Sequence, residues 1–480
     1  MTSDQESTSF LKRSLEELGL TAVYNSPFDV KLLCFQRFVR LFAYGASTLI
    51  LVAYLEALGI SKTQIGLFMT LTLAGDICIS FFLTLFADAL GRKAILVLGA
   101  ALMTTSGVVF ALFGNYWILL LAAIVGVISP SGSEIGPFRA IEESIVAHLT
   151  EPGDRAHVYA WYSLSGSLGT AFGMLTGGLT IHRLINGLEW DKVQAYRIIF
   201  YIYAGLGVLK TILALMLSHK VESEKKQEQA RSRANGSETT PLLDGDAVPS
   251  ETVAAVPPKR GFRSLLPDVS KESIGMLIEL CFLFALDSFA SGLATISWIT
   301  YFFHTRFNIE EGRLGTIFLV TSIVTAASML LAASVSRRLG NIKTMVCTHL
   351  PSSVCLALIP LPNEVHWSLL FLVLRACTQS MDTPPRSAFL AMMILPAERT
   401  AVMGTINVVR TSSQTLGPLI TGVLAEKNLL WVSFVIAGGL KACYDLGLLV
   451  MFKNREKERE RTEQERHEED RSDGARSDNS

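Results

Sequence analysis

Pro137-Phe138-Arg139-Ala140 and Pro384-Pro385-Arg386-Ser387 decide the fold of this chain, because they are one pattern written twice. Pro152-Gly153-Asp154-Arg155 follows the first, and Pro396-Ala397-Glu398-Arg399 follows the second. Gly173 and Gly178 recur as Gly417 and Gly422, and Tyr54 recurs as Tyr301. The copies lie about half the chain apart, among apolar stretches long enough to cross a bilayer. A half repeated in the same orientation is a common way to build a path between two membrane bundles.

Composition points the same way. Half of the 480 residues are hydrophobic and only 18% are charged. The mean hydropathy is +0.39. The apolar excess falls in about twelve stretches of about 20 residues, each sufficient to span roughly 30 Å of hydrocarbon as a helix. They are 32–55, 65–86, 94–113, 117–141, 158–181 and 198–217, then 274–301, 314–335, 345–361, 367–394, 402–424 and 429–451. The expected architecture is an all-α membrane protein, with six-helix bundles over 32–217 and 274–452 related by a pseudo-twofold axis. Three polar segments remain: an N-terminal tail (1–31), a linker (218–273) and a C-terminal tail (453–480). The linker and the C-terminal tail lack the apolar content to fold and read as disordered, the tail keeping a turn or two of helix.

The first thirty residues are polar and carry Glu16, Glu17 and Asp29, unlike a cleavable signal. The net charge of −1 gives no reason to expect a nucleic-acid partner. The seven cysteines have no metal-ligand spacing and read as small buried hydrophobes. Arg92-Lys93, Arg337-Arg338, the linker and the C-terminal tail fall on one side of a twelve-span chain. By the positive-inside rule that side, with both termini, is cytosolic.

Charges at bilayer depth are costly and mark function by default. The candidates for a solute or proton pathway are Arg40 in span 1, Asp76 in span 2, Glu134 in span 4, Asp287 in span 7, Arg375 and Asp382 in span 10, and Arg410 in span 11. Arg40 and Asp287 are counterparts in the repeat, so they are expected to face each other or a shared solute. Arg40 alternatively snorkels to the cytosolic edge. Arg139 stands three residues from Glu142 and four from Glu143, which suits a salt bridge on one helical face and a cytosolic gate. Asp382 and Arg386 repeat the four-residue spacing across a double proline, as do Lys441 and Asp445. Prolines and glycines between Pro130 and Pro137 loosen span 4.

Thr84-Leu85-Phe86-Ala87-Asp88-Ala89-Leu90-Gly91-Arg92-Lys93 resembles the loop signature G-x-x-x-D-R-x-G-R-K of the major facilitator superfamily. Asp88, Gly91, Arg92 and Lys93 match; Thr84 and Ala89 depart from it. The second half keeps Arg338-Leu339-Gly340 and a displaced Lys343. In span 5, Gly169, Gly173, Gly177 and Gly178 resemble the antiporter motif G-x-x-x-G-P-x-x-G-G, with Met174 replacing proline. Span 11 carries Gly417, Pro418 and Gly422 at the matching place. Small residues at this spacing also pack any pair of membrane helices. The resemblance extends to fungal members of the drug:proton antiporter-like branch. It implies a cytosolic gate containing Asp88, Gly91, Arg92, Lys93, Arg139, Glu142, Glu143, Arg155, Arg386 and Arg399.

The function expected is proton-coupled export of a small organic solute by alternating access, with the proton gradient as driving force and no cofactor. Alternatives are an importer or uniporter of a polar or anionic metabolite, with Arg40, Arg139 and Arg386 as anion contacts, and a non-transporting receptor on the same fold. An enzyme is not expected, because no nucleophile–base or metal constellation is present. A monomer in the lipid bilayer is expected. Glu238, Leu242 and Leu243 in the linker resemble an acidic dileucine signal, which implies an adaptor-complex partner and a vacuolar or endosomal membrane, the plasma membrane being the alternative.

Overall fold

A computed structural model describes residues 20–126, 128, 137–151, 154–222, 271–394 and 399–477. Glu134, Glu238, Leu242 and Leu243 lie outside the described residues, as do the side chains of Asp88 and Arg399. The described chain is helical, without a strand among those residues.

The first half contains α1 (Leu20–Asn25), α2 (Phe28–Ala57), α3 (Lys62–Leu90), α4 (Arg92–Leu112), α5 (Tyr116–Gly126), α6 (Pro137–Leu149), α7 (Arg155–His182) and α8 (Lys192–Leu215). The second half contains α9 (Lys271–Leu293), α10 (Ile296–Phe307), α11 (Glu311–Leu339), α12 (Asn341–Leu358), α13 (Val365–Thr378), α14 (Thr383–Met393), α15 (Arg399–Glu426) and α16 (Leu430–Ser477). Joined end to end across their breaks, these elements give two bundles of about six helices each.

Among the described residues six helices have the length and hydropathy to cross a membrane outright, including Phe28–Ala57, Arg92–Leu112 and Leu430–Arg455. Helices α7, α11 and α15 are as long, at 28, 29 and 28 residues. They pack against helices on two sides: α7 on α2 and α11, α15 on α9 and α3. A helix covered by protein needs less apolar surface than one facing lipid.

Expected spans 4, 7 and 10 are each two helices, not one. In span 7 the break falls at Ala294 and Thr295, where the hydroxyl of Thr421 donates to the freed Leu293 carbonyl at 2.7 Å. In span 10 it falls at residues 379–382, and Pro384 and Pro385 occupy the first turn of α14. The missing N–H groups have no intrahelical partner to lose there.

The halves obey one plan. Helices α7 and α15 have 28 residues each, and Gly173 and Gly417 hold the same place in them. A methyl group at Gly173 would collide with the Phe42 carbonyl of α2, and one at Gly417 with the Gly292 backbone of α9. Five residues on in each helix, Gly178 meets the Glu311 backbone of α11 and Gly422 meets Lys62 and Gly66 of α3. The first pair ties each half together; the second ties the halves to each other. Gly169 and Gly177 lie against Phe38 and Ala46 of α2, and the Pro418 carbonyl lies against Gly66. Gly91 and Gly340 both have positive φ, 101° and 85°, at the turns that close α3 and α11, a conformation that suits residues without a Cβ.

Contacts between halves gather at the end remote from the chain termini. The Tyr301 hydroxyl donates to Glu56 at 2.7 Å, the Tyr196 hydroxyl to Glu311 at 2.9 Å, and the Ser297 hydroxyl to the Thr48 carbonyl at 3.1 Å. The Thr63 amide donates to Glu426 at 3.3 Å.

Two expected disordered segments are partly ordered. Ser218 donates its amide and hydroxyl to Asp29, at 2.9 and 2.5 Å, and Val221 is buried. Helix α16 runs on to Ser477 instead of ending within a turn or two. Its apolar part already supplies the nucleus, so each added residue gains a backbone bond without a new nucleation cost.

Candidate functional site

In the first half, Glu142 is fully buried at the centre of a charged cluster. Arg40 grips it from α2 with Nη1 and Nη2, at 3.0 and 2.8 Å. The Tyr162 hydroxyl donates to Glu142 at 2.6 Å, and Lys210 Nζ lies 3.6 Å away. Arg37 stacks over the Tyr162 ring at 4.0 Å. One carboxylate thus joins α2, α6, α7 and α8. Such a site is stable only while it stays paired.

This arrangement corrects two expectations. Glu142 is not the gate partner of Arg139, which pairs with Glu143 at 2.6 Å on a half-exposed face. Four residues of helix bring Glu143 to the face of Arg139, whereas three turn Glu142 inward. Arg40 and Asp287 do not face each other, nor does Arg40 snorkel, because Arg40 is neutralised within its own half.

In the second half, Asp287 of α9 accepts from Lys441 of α16 at 2.6 Å, and Lys441 also donates to Ser291 at 2.8 Å. Lys441 therefore does not pair with Asp445. Asp445 instead accepts from His349 Nδ1, at 2.9 and 3.0 Å, and from the Ser353 hydroxyl at 3.2 Å. An ionised carboxylate only accepts, so this contact places the proton on Nδ1 and turns Nε2 outward. Nε2 lies 3.9 Å from Asp287. Asp382 pairs with Arg386, as the spacing predicts.

These groups line a cavity of about 230 Å³. The broken helix α13–α14 supplies Arg375, Gln379, Ser380, Asp382, Thr383 and Arg386. Asp287, Ser291, His349, Ser352, Arg410 and Lys441 complete the wall, which is wholly polar among the described residues. Arg410 approaches Ser288 at 3.4 Å and stacks over Phe284 at 5.6 Å.

The other predicted positions do different work. Asp76 is buried in α3, and its Oδ1 has no hydrogen-bond partner among the described residues. The Arg92 amide donates to Glu222 at 2.9 Å, and Lys93 Nζ donates to the Leu215 and Leu217 carbonyls at 2.8 and 2.5 Å. Lys93 thus caps the C-terminus of α8, where a cation is favoured. Arg155 donates to the Thr150 carbonyl at 3.2 Å. Sequence reasoning missed His349 and Lys210. Each is a lone ionisable residue inside an apolar span, and that signal was sufficient to flag both.

Residues 33–271 and 280–476 match the Major Facilitator Superfamily. An uncharacterized membrane protein of Saccharomyces cerevisiae, YJR124C, is 36% identical over 426 residues, covering 88% of this chain and 94% of the yeast protein. The quinolone resistance protein NorA of Staphylococcus aureus is 25% identical over 191 residues, covering 40% of this chain and 45% of NorA. Among solved structures, the nucleoside transporter NupG superposes with a TM-score of 0.61 at 15% identity, covering 89% of this chain and all of NupG. The D-xylose-proton symporter does so with 0.63 at 14% identity, covering 88% of this chain and 97% of that one.

Proposed function

Because the chain belongs to the Major Facilitator Superfamily, whose members are multi-pass membrane transporters and not enzymes, we propose that it moves a small polar solute by proton-coupled alternating access, in the direction of export. The observation that carries this reading is the placement of His349 on the cavity wall, with its Nε2 beside Asp287 and its Nδ1 held by Asp445. Proton uptake by Nε2 changes the charge of the wall on which the solute would rest.

Other charged groups act on that proton. They are Asp287 of α9, Asp445 and Lys441 of α16, and Arg375, Asp382 and Arg386 of α13 and α14. Tyr444 of α16 packs against the imidazole ring at 5.8 Å between centroids. The balance shifts when a solute displaces or screens any of them, and this is the coupling that transport requires. The likeness to NorA supports the exporting direction.

The test uses the purified chain in proteoliposomes with an imposed pH gradient and a panel of polar metabolites. His349→Gln is expected to abolish uphill movement while solute exchange continues. Asp287→Asn should act in the same sense. Uphill movement at the normal rate in both variants overturns the coupling.

The tight end of the molecule is assigned to the side away from the cytosol, and both termini to the cytosol, on the distribution of Lys and Arg. Glu238, Leu242 and Leu243 are assigned to an adaptor complex that directs the chain to an endosomal or vacuolar membrane. Replacing both leucines with alanine in a fluorescently tagged chain should move it to the cell surface. An unchanged distribution removes that assignment.

A further inference from the structure

The charges on the cavity wall do not balance. Among the described residues four cations line it, Arg375, Arg386, Arg410 and Lys441, against two carboxylates, Asp287 and Asp382. Both carboxylates are already engaged, with Lys441 and Arg386 respectively. Arg375 and Arg410 have no carboxylate within ion-pair distance among the described residues. Both are half-buried at the cavity wall, where a guanidinium without a counter-charge favours an anionic ligand. The missing negative charge therefore belongs to whatever fills the cavity.

We propose that the cavity binds a small organic anion with two negative charges, as carboxylates or as a phosphate monoester, held by Arg375 and Arg410. The proposal rests on the reading of this cavity as the solute site. It replaces the anion contacts expected from sequence: Arg40, Arg139 and Arg386 are each spent on an internal glutamate or aspartate. Guanidinium groups suit this role because their planar fork matches the oxygens of carboxylate and phosphate.

Size and lining agree with a metabolite more than with a drug. Drug-sized ligands occupy pockets of roughly 300–1,000 Å³ lined mainly by apolar and aromatic side chains. This cavity is about 230 Å³, and its described wall is polar throughout. Gln379 and Ser380 at the break of span 10, with Ser291 and Ser352, offer hydrogen bonds to the neutral part of such a solute.

Binding to the purified full-length chain, at fixed pH and without a gradient, tests the proposal apart from proton coupling. The probes are succinate and glycerol 3-phosphate, with succinamide and glycerol as neutral matches and ethidium as an organic cation. At least one anion should bind and raise the melting temperature, and neither neutral match nor ethidium should. The stronger of the two anions identifies the headgroup. Arg375→Gln and Arg410→Gln should each weaken it by at least about tenfold, as expected for a lost charge-assisted hydrogen bond. Arg375→Lys should recover part of the loss. The ligand-free melting temperature of each variant shows whether it is folded, and the wild-type probe comparison stands if one is not. Binding of ethidium or the neutral matches in preference to both anions, failure of both anions to bind, or unweakened anion binding in folded Gln variants overturns the proposal. A loss of uphill transport in His349→Gln with anion binding intact leaves both readings standing. Anion binding in a chain that moves solute without regard to pH removes only the coupling.

Discussion

Arg40 and Glu142 are 102 residues apart in the chain and meet through two hydrogen bonds, at 3.0 and 2.8 Å, in a buried site. Glu142→Gln leaves Arg40 and Lys210 without their counter-charge. It should lower stability by about 3–5 kcal/mol, the usual cost of breaking a buried pair. Thermal unfolding in detergent reads the loss. The double change Arg40→Met with Glu142→Leu should cost less than the two single changes added together, since it removes both charges. Strict additivity would show that the pair does not act as a unit.

Gly178 and Gly422 hold the two halves at backbone distance, and a side chain fits at neither. Gly178→Leu and Gly422→Leu should each force the tight end apart, while each bundle keeps its own packing. Overpacking of this kind costs about 1–3 kcal/mol. Cysteines placed at Thr63 and Glu426, which touch across the halves, should crosslink several-fold less in either variant. An undiminished yield would mean that the glycines do not set the closure.

Lys441 depends on Asp287, at 2.6 Å, for its charge compensation. Asp287→Asn should destabilise the second half, and adding Lys441→Met should restore much of the loss. The double variant separates folding from function: it should melt near the wild-type temperature and still fail to couple transport to protons. A double variant as unstable as Asp287→Asn alone would place the cost elsewhere.

Lys93 supplies the cap for the last carbonyls of α8. Lys93→Met keeps the aliphatic stem and removes the donor. A loss of roughly 0.5–1.5 kcal/mol is expected, the net worth of an ordinary hydrogen bond. Calorimetric melting of Lys93→Met beside wild type measures it, and an unchanged melting temperature would show that the cap is dispensable.

The sequence by itself determined the membrane class, the duplication and the register of the two halves. Those are one-dimensional properties: apolar run length, and the recurrence of Gly173 and Gly178 as Gly417 and Gly422. It also determined the Asp382–Arg386 pair, because a four-residue spacing on one helix fixes which side chains meet. Only the tertiary structure decided the other partners. Arg40 pairs with Glu142 and not near Asp287, and Lys441 pairs with Asp287 and not with Asp445. Each of those partners stands on a different helix, and which helices meet depends on how twelve apolar faces pack. The same holds for the two arginines left over. Among the described residues, Arg375 and Arg410 are left without an ion-pair partner only after Asp287 and Asp382 have found other cations. That subtraction requires three-dimensional distances, which no spacing along the chain contains.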